Sequence, residues 1–177
     1  MLIRPLAALA LVLALAGCTA APETLLPTPT LTAAPTILNP DLVPMALGVV
    51  TGEKAAAEST RLVDALQALI DPATILNVSD QSQLVPNDDD VPGFYGAYRT
   101  ISLDPEVDAL GLSQTIAAVL GQSSWVIQSE TNEGGQYLAA ISYGPPGNFW
   151  FALIGGDVSV SGQSVVTFQL ASPDVVA

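Results

Sequence analysis

Histidine is absent from the 177-residue chain. With it go the commonest general base, every Ser-His or Cys-His nucleophile pair and the imidazole zinc sites. Cysteine occurs once, as Cys18, so no disulfide can form within the chain. Cations are nearly as scarce: four Lys and Arg stand against seventeen Asp and Glu, for a net charge of −13. Phosphate binding needs clustered Lys and Arg, so nucleic acid is excluded as a partner and direct adhesion to anionic headgroups is disfavoured. No G-x-S-x-G occurs, and Lys54, the only lysine, has Thr51 rather than a serine three residues before it. Serine-hydrolase chemistry therefore has no foothold.

What the chain does have begins at its N-terminus. Arg4 precedes an apolar run from Leu6 to Ala16, built almost wholly of Leu, Ala and Val and closed by the small pair Ala16-Gly17. A permanent membrane helix needs roughly 20 apolar residues, so this run has the length of a cleavable signal. Leu15, Ala16, Gly17 and Cys18 stand at its end.

This segment resembles a bacterial lipoprotein signal, whose motif is a Leu, a small residue, Gly or Ala, and an obligatory Cys. The resemblance covers the first eighteen residues only. It implies transfer of a diacylglycerol to the Cys18 sulfur, cleavage between Gly17 and Cys18, and palmitate-type acylation that holds the chain on the extracytoplasmic face of a bacterial membrane. Two or three acyl chains anchor a protein stably where one does not. Cleavage would remove Arg4 and leave Lys54, Arg61 and Arg99 against the same seventeen acids, a net charge of −14.

From Thr19 to Pro44 the composition changes to six Thr, six Pro and four Ala in 26 residues. Proline of this density holds a chain extended and solvated, so residues 18–44 are expected to be the lipidated cysteine and its tether, following a signal at 1–17. Half the residues of the whole chain are apolar and only 12% charged, a balance that folds rather than stays disordered. Residues 45–177 are expected to form a single domain around one core.

Within it, Glu53 to Ile70 carries Leu62, Val63, Leu66, Leu69 and Ile70 at helical spacing, with Thr51 as cap and Asp71-Pro72 as stop. Thr74 to Ser79 is a short candidate strand, followed by a polar stretch. Phe94 to Leu103 is a longer one, with Gly96 as a candidate bulge. Asp104-Pro105 has the form of a helix start, and Ser113 that of an alternative cap for a shorter helix ending at Leu120. From Trp125 the period becomes two. Strands are expected over 125–130, 136–143, 148–154 and 164–170, with turns at Asn132 to Gly135, Gly144 to Gly147 and Gly155-Gly156-Asp157, and with Val158 and Val160 as a further short strand. Phe149 to Ile154 is apolar on both faces, as in a strand covered on both sides. The expected fold is α+β: two helices packed on one face of a mainly antiparallel sheet, ending in a β-meander.

Three constellations bear on function. Asp88, Asp89 and Asp90, with Asp80 and Asn87 nearby, are the one group able to offer a hard cation several oxygens. Pro92 breaks EF-hand spacing, so they are read as a solvated acidic loop with no metal and no other cofactor. Glu130 and Glu133 are the paired acids nearest to glycosidase form, and neither is marked as buried. Trp125, Tyr137, Tyr143, Phe149, Trp150 and Phe151 are read as core, with a sugar or peptide groove as the alternative. No catalytic residue is assigned. The expected function is a non-catalytic, lipid-anchored envelope lipoprotein whose domain binds an envelope protein or a cell-wall glycan; the alternative is a hydrolase working through carboxylates alone.

Overall fold

The architecture is taken from a computed structural model, which describes residues 39–86 and 93–176. Helix α1 spans Gly52–Gln67 and helix α2 Ala109–Gln122; strands β1 (Ile75–Val85), β2 (Phe94–Leu103), β3 (Val126–Glu133), β4 (Gln136–Tyr143), β5 (Trp150–Asp157) and β6 (Ser164–Ala171) form one sheet. Its order is β1-β2-β6-β5-β4-β3, with every neighbouring pair antiparallel. Strands β3 to β6 are a meander, β1 and β2 a hairpin added to its far end. Both helices lie on one sheet face, α1 over β2 and β6, α2 over β5 and β4. The fold is thus α+β, as the sequence pattern indicates.

Strand alternation builds the core. Ala97, Ile101 and Leu103 of β2, Val166, Phe168 and Leu170 of β6, Trp150, Ala152 and Ile154 of β5, and Tyr137, Ala139 and Ile141 of β4 are all buried beneath the helices. The helices answer with Leu62, Val63 and Leu66, and with Ile116, Ala117 and Leu120. Side-chain period two meeting helical period 3.6 across one layer is the ordinary geometry of a helix-on-sheet core. Thr51 caps α1, its hydroxyl accepting from the Lys54 amide.

Several boundaries differ from those the sequence suggests. Strand β1 runs on through the polar stretch to Val85, because an edge strand beyond the helices has neither face covered and needs no apolar pattern; backbone pairing to β2 holds it. The irregularity in that hairpin lies between Ile75 and Asn77, not at Gly96, which keeps regular register with Gln83 and Ala171. Asp104 makes a local turn by accepting from the Glu106 amide, and the cap of α2 is Asp108, which accepts from Leu110 and Gly111. Ser113 lies inside that helix and donates to the Gly155 carbonyl at 3.0 Å.

Gly155 and Gly156 are not a turn but part of β5. Gly156 lets α2 settle onto the sheet, since a Cβ there would stand 2.5 Å from the Ala109 carbonyl oxygen. The β3–β4 turn narrows to Gly134-Gly135, both at positive φ (61° and 81°), as a two-residue primed turn demands. Val158 and Val160 sit in the loop before β6 rather than in a strand, and Trp125 immediately precedes β3.

The end of the Thr/Pro-rich segment is docked on the domain. Pro40–Leu42 form one 3-10 turn, Leu42 is fully buried in the core, and the Trp125 indole Nε1 donates to its carbonyl at 2.8 Å. Arg61 of α1 donates to the carbonyls of Asp41 and Val43, while its partner Glu58 accepts from the Met45 amide at 2.7 Å. The chain therefore enters the domain on its helix side.

Candidate ligand-binding face

The sheet has a second face, and among the described residues no element covers it. It is the other half of each strand's alternation: Tyr98 and Thr100 from β2, Val165, Thr167 and Gln169 from β6, Phe151 and Leu153 from β5, Leu138 and Ala140 from β4. Central positions such as Tyr98, Phe151 and Leu153 are half-buried by their neighbours, while Leu138 is 44% exposed. The expectation that β5 is covered on both sides is thereby corrected. Trp150, Ala152 and Ile154 carry the helix side; Phe151 and Leu153 present an apolar second side to solvent.

Three hollows run along this face. One of ≈ 710 Å³ is lined by Gln81, Gln83, Phe94, Tyr98, Phe151 and Gln169 among others. A second of ≈ 390 Å³ shares Tyr98 and continues past Thr100, Val165 and Thr167 to Asp157. A third of ≈ 390 Å³ shares Phe151 and reaches Phe149, Pro146 and Ser142. Tyr98 and Phe151 are thus the walls common to adjoining hollows, and together the three make a trough across the strands. The volumes are those of sites for small ligands or short oligomers.

The electrostatics of the face are simple. All three basic residues of the domain lie on the helix side, each engaged internally. Lys54 Nζ donates to the Val49 carbonyl, Arg61 pairs with Glu58 at 2.6 Å, and Arg99 donates to Asp80 and to Asp64 at 2.5 and 2.8 Å. The Arg99 and Arg61 charges are held by these carboxylates, Asp80 foremost for Arg99 and Glu58 for Arg61. Among the described residues the carboxylates of the open face are Asp157 and Glu133, together at one end. The Ser159 hydroxyl and amide, then the Gln136 amide, hold the Asp157 carboxyl below the usual range, so that end stays anionic. Between the ends the lining consists of aromatic rings, aliphatic side chains, amides and hydroxyls.

Of the sequence-derived candidates, Trp125, Tyr137 and Trp150 are core residues and Tyr143 packs beside Trp125, ring centroids 5.6 Å apart. Phe149 and Phe151 are not core but trough. Glu130 and Glu133 lie three apart in one strand and so on opposite faces: Glu130 is opposite Ala139 and accepts from the Tyr137 hydroxyl at 2.8 Å, Glu133 is opposite Gln136. They do not face each other. Asp80 is bound to Arg99, and Asn87 to Asp90 lie outside the described residues, as do Leu15 to Cys18. Among the described residues no three Asp or Glu gather around a point that a metal could occupy, and no helix is long and apolar enough to cross a membrane.

Tyr98, Leu153, Phe94 and the amides Gln81, Gln83 and Gln169 had no place among the sequence candidates. The available signal was in Phe149 to Ile154, whose two apolar faces require two apolar neighbours and whose sheet has helices for only one. No protein-family model matches the chain, and no curated protein is similar to it in sequence.

Proposed function

We propose that the chain is a non-catalytic envelope lipoprotein, anchored through lipid on Cys18, whose domain binds a neutral saccharide of the envelope along the open sheet face. The observation that carries the binding role is the uncovered trough walled by Tyr98 and Phe151. A folded, acidic domain leaves an apolar-aromatic sheet face in water at a cost, and such patches mark interaction sites. Rings stack on the C–H faces of sugars, while Gln81, Gln83 and Gln169 offer both donors and acceptors to their hydroxyls. Among the described residues the face carries no cation, so an anionic ligand would find nothing there to neutralise it.

The anchor reading rests on the Leu15-Ala16-Gly17-Cys18 match and the lone cysteine. The chain enters the domain on the helix side, which leaves the trough on the side away from the tether's attachment. Replacing Cys18 by Ser and following labelled palmitate tests the first half: label and membrane retention should both disappear. Titration of the full-length protein with neutral oligosaccharides tests the second. A carboxylate hydrolase is less well supported, since Glu130 and Glu133 point to opposite faces and Asp64 and Asp80 are engaged by Arg99.

A further inference from the structure

The two edges of the sheet are built differently. Strand β3 is eight residues long, has a register shift between Ile127 and Ser129, and carries Glu130 and Glu133. Bulges and charges are the devices by which edge strands avoid pairing with other chains. Strand β1, at the other edge, is eleven residues long and regular from Asn77 to Val85. It contains no Pro, Gly, Lys or Arg, and its one charged residue, Asp80, is ion-paired with Arg99 at 2.5 Å. Leu76, Val78 and Leu84 on it are exposed.

We propose that β1 pairs with the β1 of a second copy about a two-fold axis at Gln81, joining two sheets into one of twelve strands. The sequence of the strand selects this register. Antiparallel partners share a face, and within 77–85 a two-fold at Gln81 places Val78 opposite Leu84 of the other copy, Asp80 opposite Ser82, Ser79 opposite Gln83 and Asn77 opposite Val85. Every bulge-free residue of the strand then has a partner. A two-fold at Asp80 would set two carboxylates against each other and Val78 against Ser82 instead. An isologous contact is self-complementary and closes at two copies. In the resulting dimer the hollow lined by Gln81 and Gln83 continues into its twin across the axis, on the same open face.

The test uses the full-length chain in membranes of the producing cell, with a mild oxidant. Opposed residues of an antiparallel pair stand about 4.5 or 5.5 Å apart at Cα, within the about 4.4–6.8 Å that a disulfide spans. Gln81→Cys should give at least about tenfold more disulfide-linked dimer than Val126→Cys on the β3 edge or the unaltered chain, whose only cysteine is Cys18. Ser79→Cys and Gln83→Cys should cross-link to each other when co-produced, but not to themselves. In detergent, the exposed pair Val78→Lys with Leu84→Lys should sediment as monomer while melting like the parent. Cross-linking of Gln81→Cys no greater than that of the controls would overturn the proposal, as would a parent chain that sediments as monomer at all concentrations, or capture of a foreign strand at β1.

Discussion

The Trp125 indole nitrogen donates to the Leu42 carbonyl at 2.8 Å, joining the residue before β3 to the last turn of the Thr/Pro-rich segment. Both residues are buried, at 4% and 0% exposure. A composition that reads as tether therefore ends inside the core. Deleting Thr19 to Leu38 should leave the melting temperature unchanged, whereas Leu42→Ala should cost about 2–5 kcal/mol in denaturant unfolding. Trp125→Phe, which strands the Leu42 carbonyl, should cost about 1–3 kcal/mol. Equal stability for all three variants would mean that the 39–44 segment does not bear on the fold.

Gly156 is a point of contact between α2 and the sheet. A Cβ there would meet the Ala109 carbonyl oxygen at 2.5 Å and Ser113 Oγ at 2.7 Å. Overpacking of this kind costs about 1–3 kcal/mol, and Gly156→Ala should lose that much as α2 is lifted. A neutral or stabilised variant in chemical denaturation would show that α2 sits further from β5.

Tyr137 predicts how stability responds to alkali. Burial, then the hydrogen bond to Glu130 and its charge, raise the phenol above its ordinary value of about 10. A group whose folded pKa is raised contributes stability that is present below the unfolded value and lost as pH rises toward the folded one. Stability should therefore decline above about pH 10, and Tyr137→Phe should flatten that decline. The same variant should lose about 0.5–1.5 kcal/mol at neutral pH, the net worth of one hydrogen bond. An alkaline limb of unchanged slope would assign it to other groups.

The helix α1, the strand 94–103 and the meander are legible in the sequence because each carries a strong period and a chemically specific cap or turn: Thr51, the Gly134-Gly135 pair, Gly144 to Gly147. The rest was hidden for reasons that are physical. The start of β1 is legible at Thr74 to Ser79, but from Asp80 to Val85 the strand is a polar run held by pairing to β2, with no pattern of its own to announce it. Asp104 and Asp108 offer the same capping chemistry four residues apart, and packing of α2 on Gly156 decides between them. For the trough, the double apolar face of Phe149 to Ile154 was visible, but which face lacked a cover depends on both helices falling on one side. Leu42 sits in a segment whose composition masks a single buried residue.

The open face is proposed to bind an uncharged sugar chain. Calorimetric titration of the full-length, detergent-solubilised protein with N-acetylglucosamine oligomers tests it most directly, with Tyr98→Ala and Phe151→Ala alongside the parent. Both side chains are half-buried at the surface of the sheet, so each variant is first shown to melt cooperatively. Saturable binding by the parent is expected to persist in high salt, since the aromatic and amide lining offers no ion pair, and to weaken at least about tenfold in either variant. Absence of saturable heat with any neutral oligosaccharide, or binding that is indifferent to both Tyr98→Ala and Phe151→Ala, would contradict it; a protein ligand captured through those same two residues would keep the face and change its occupant.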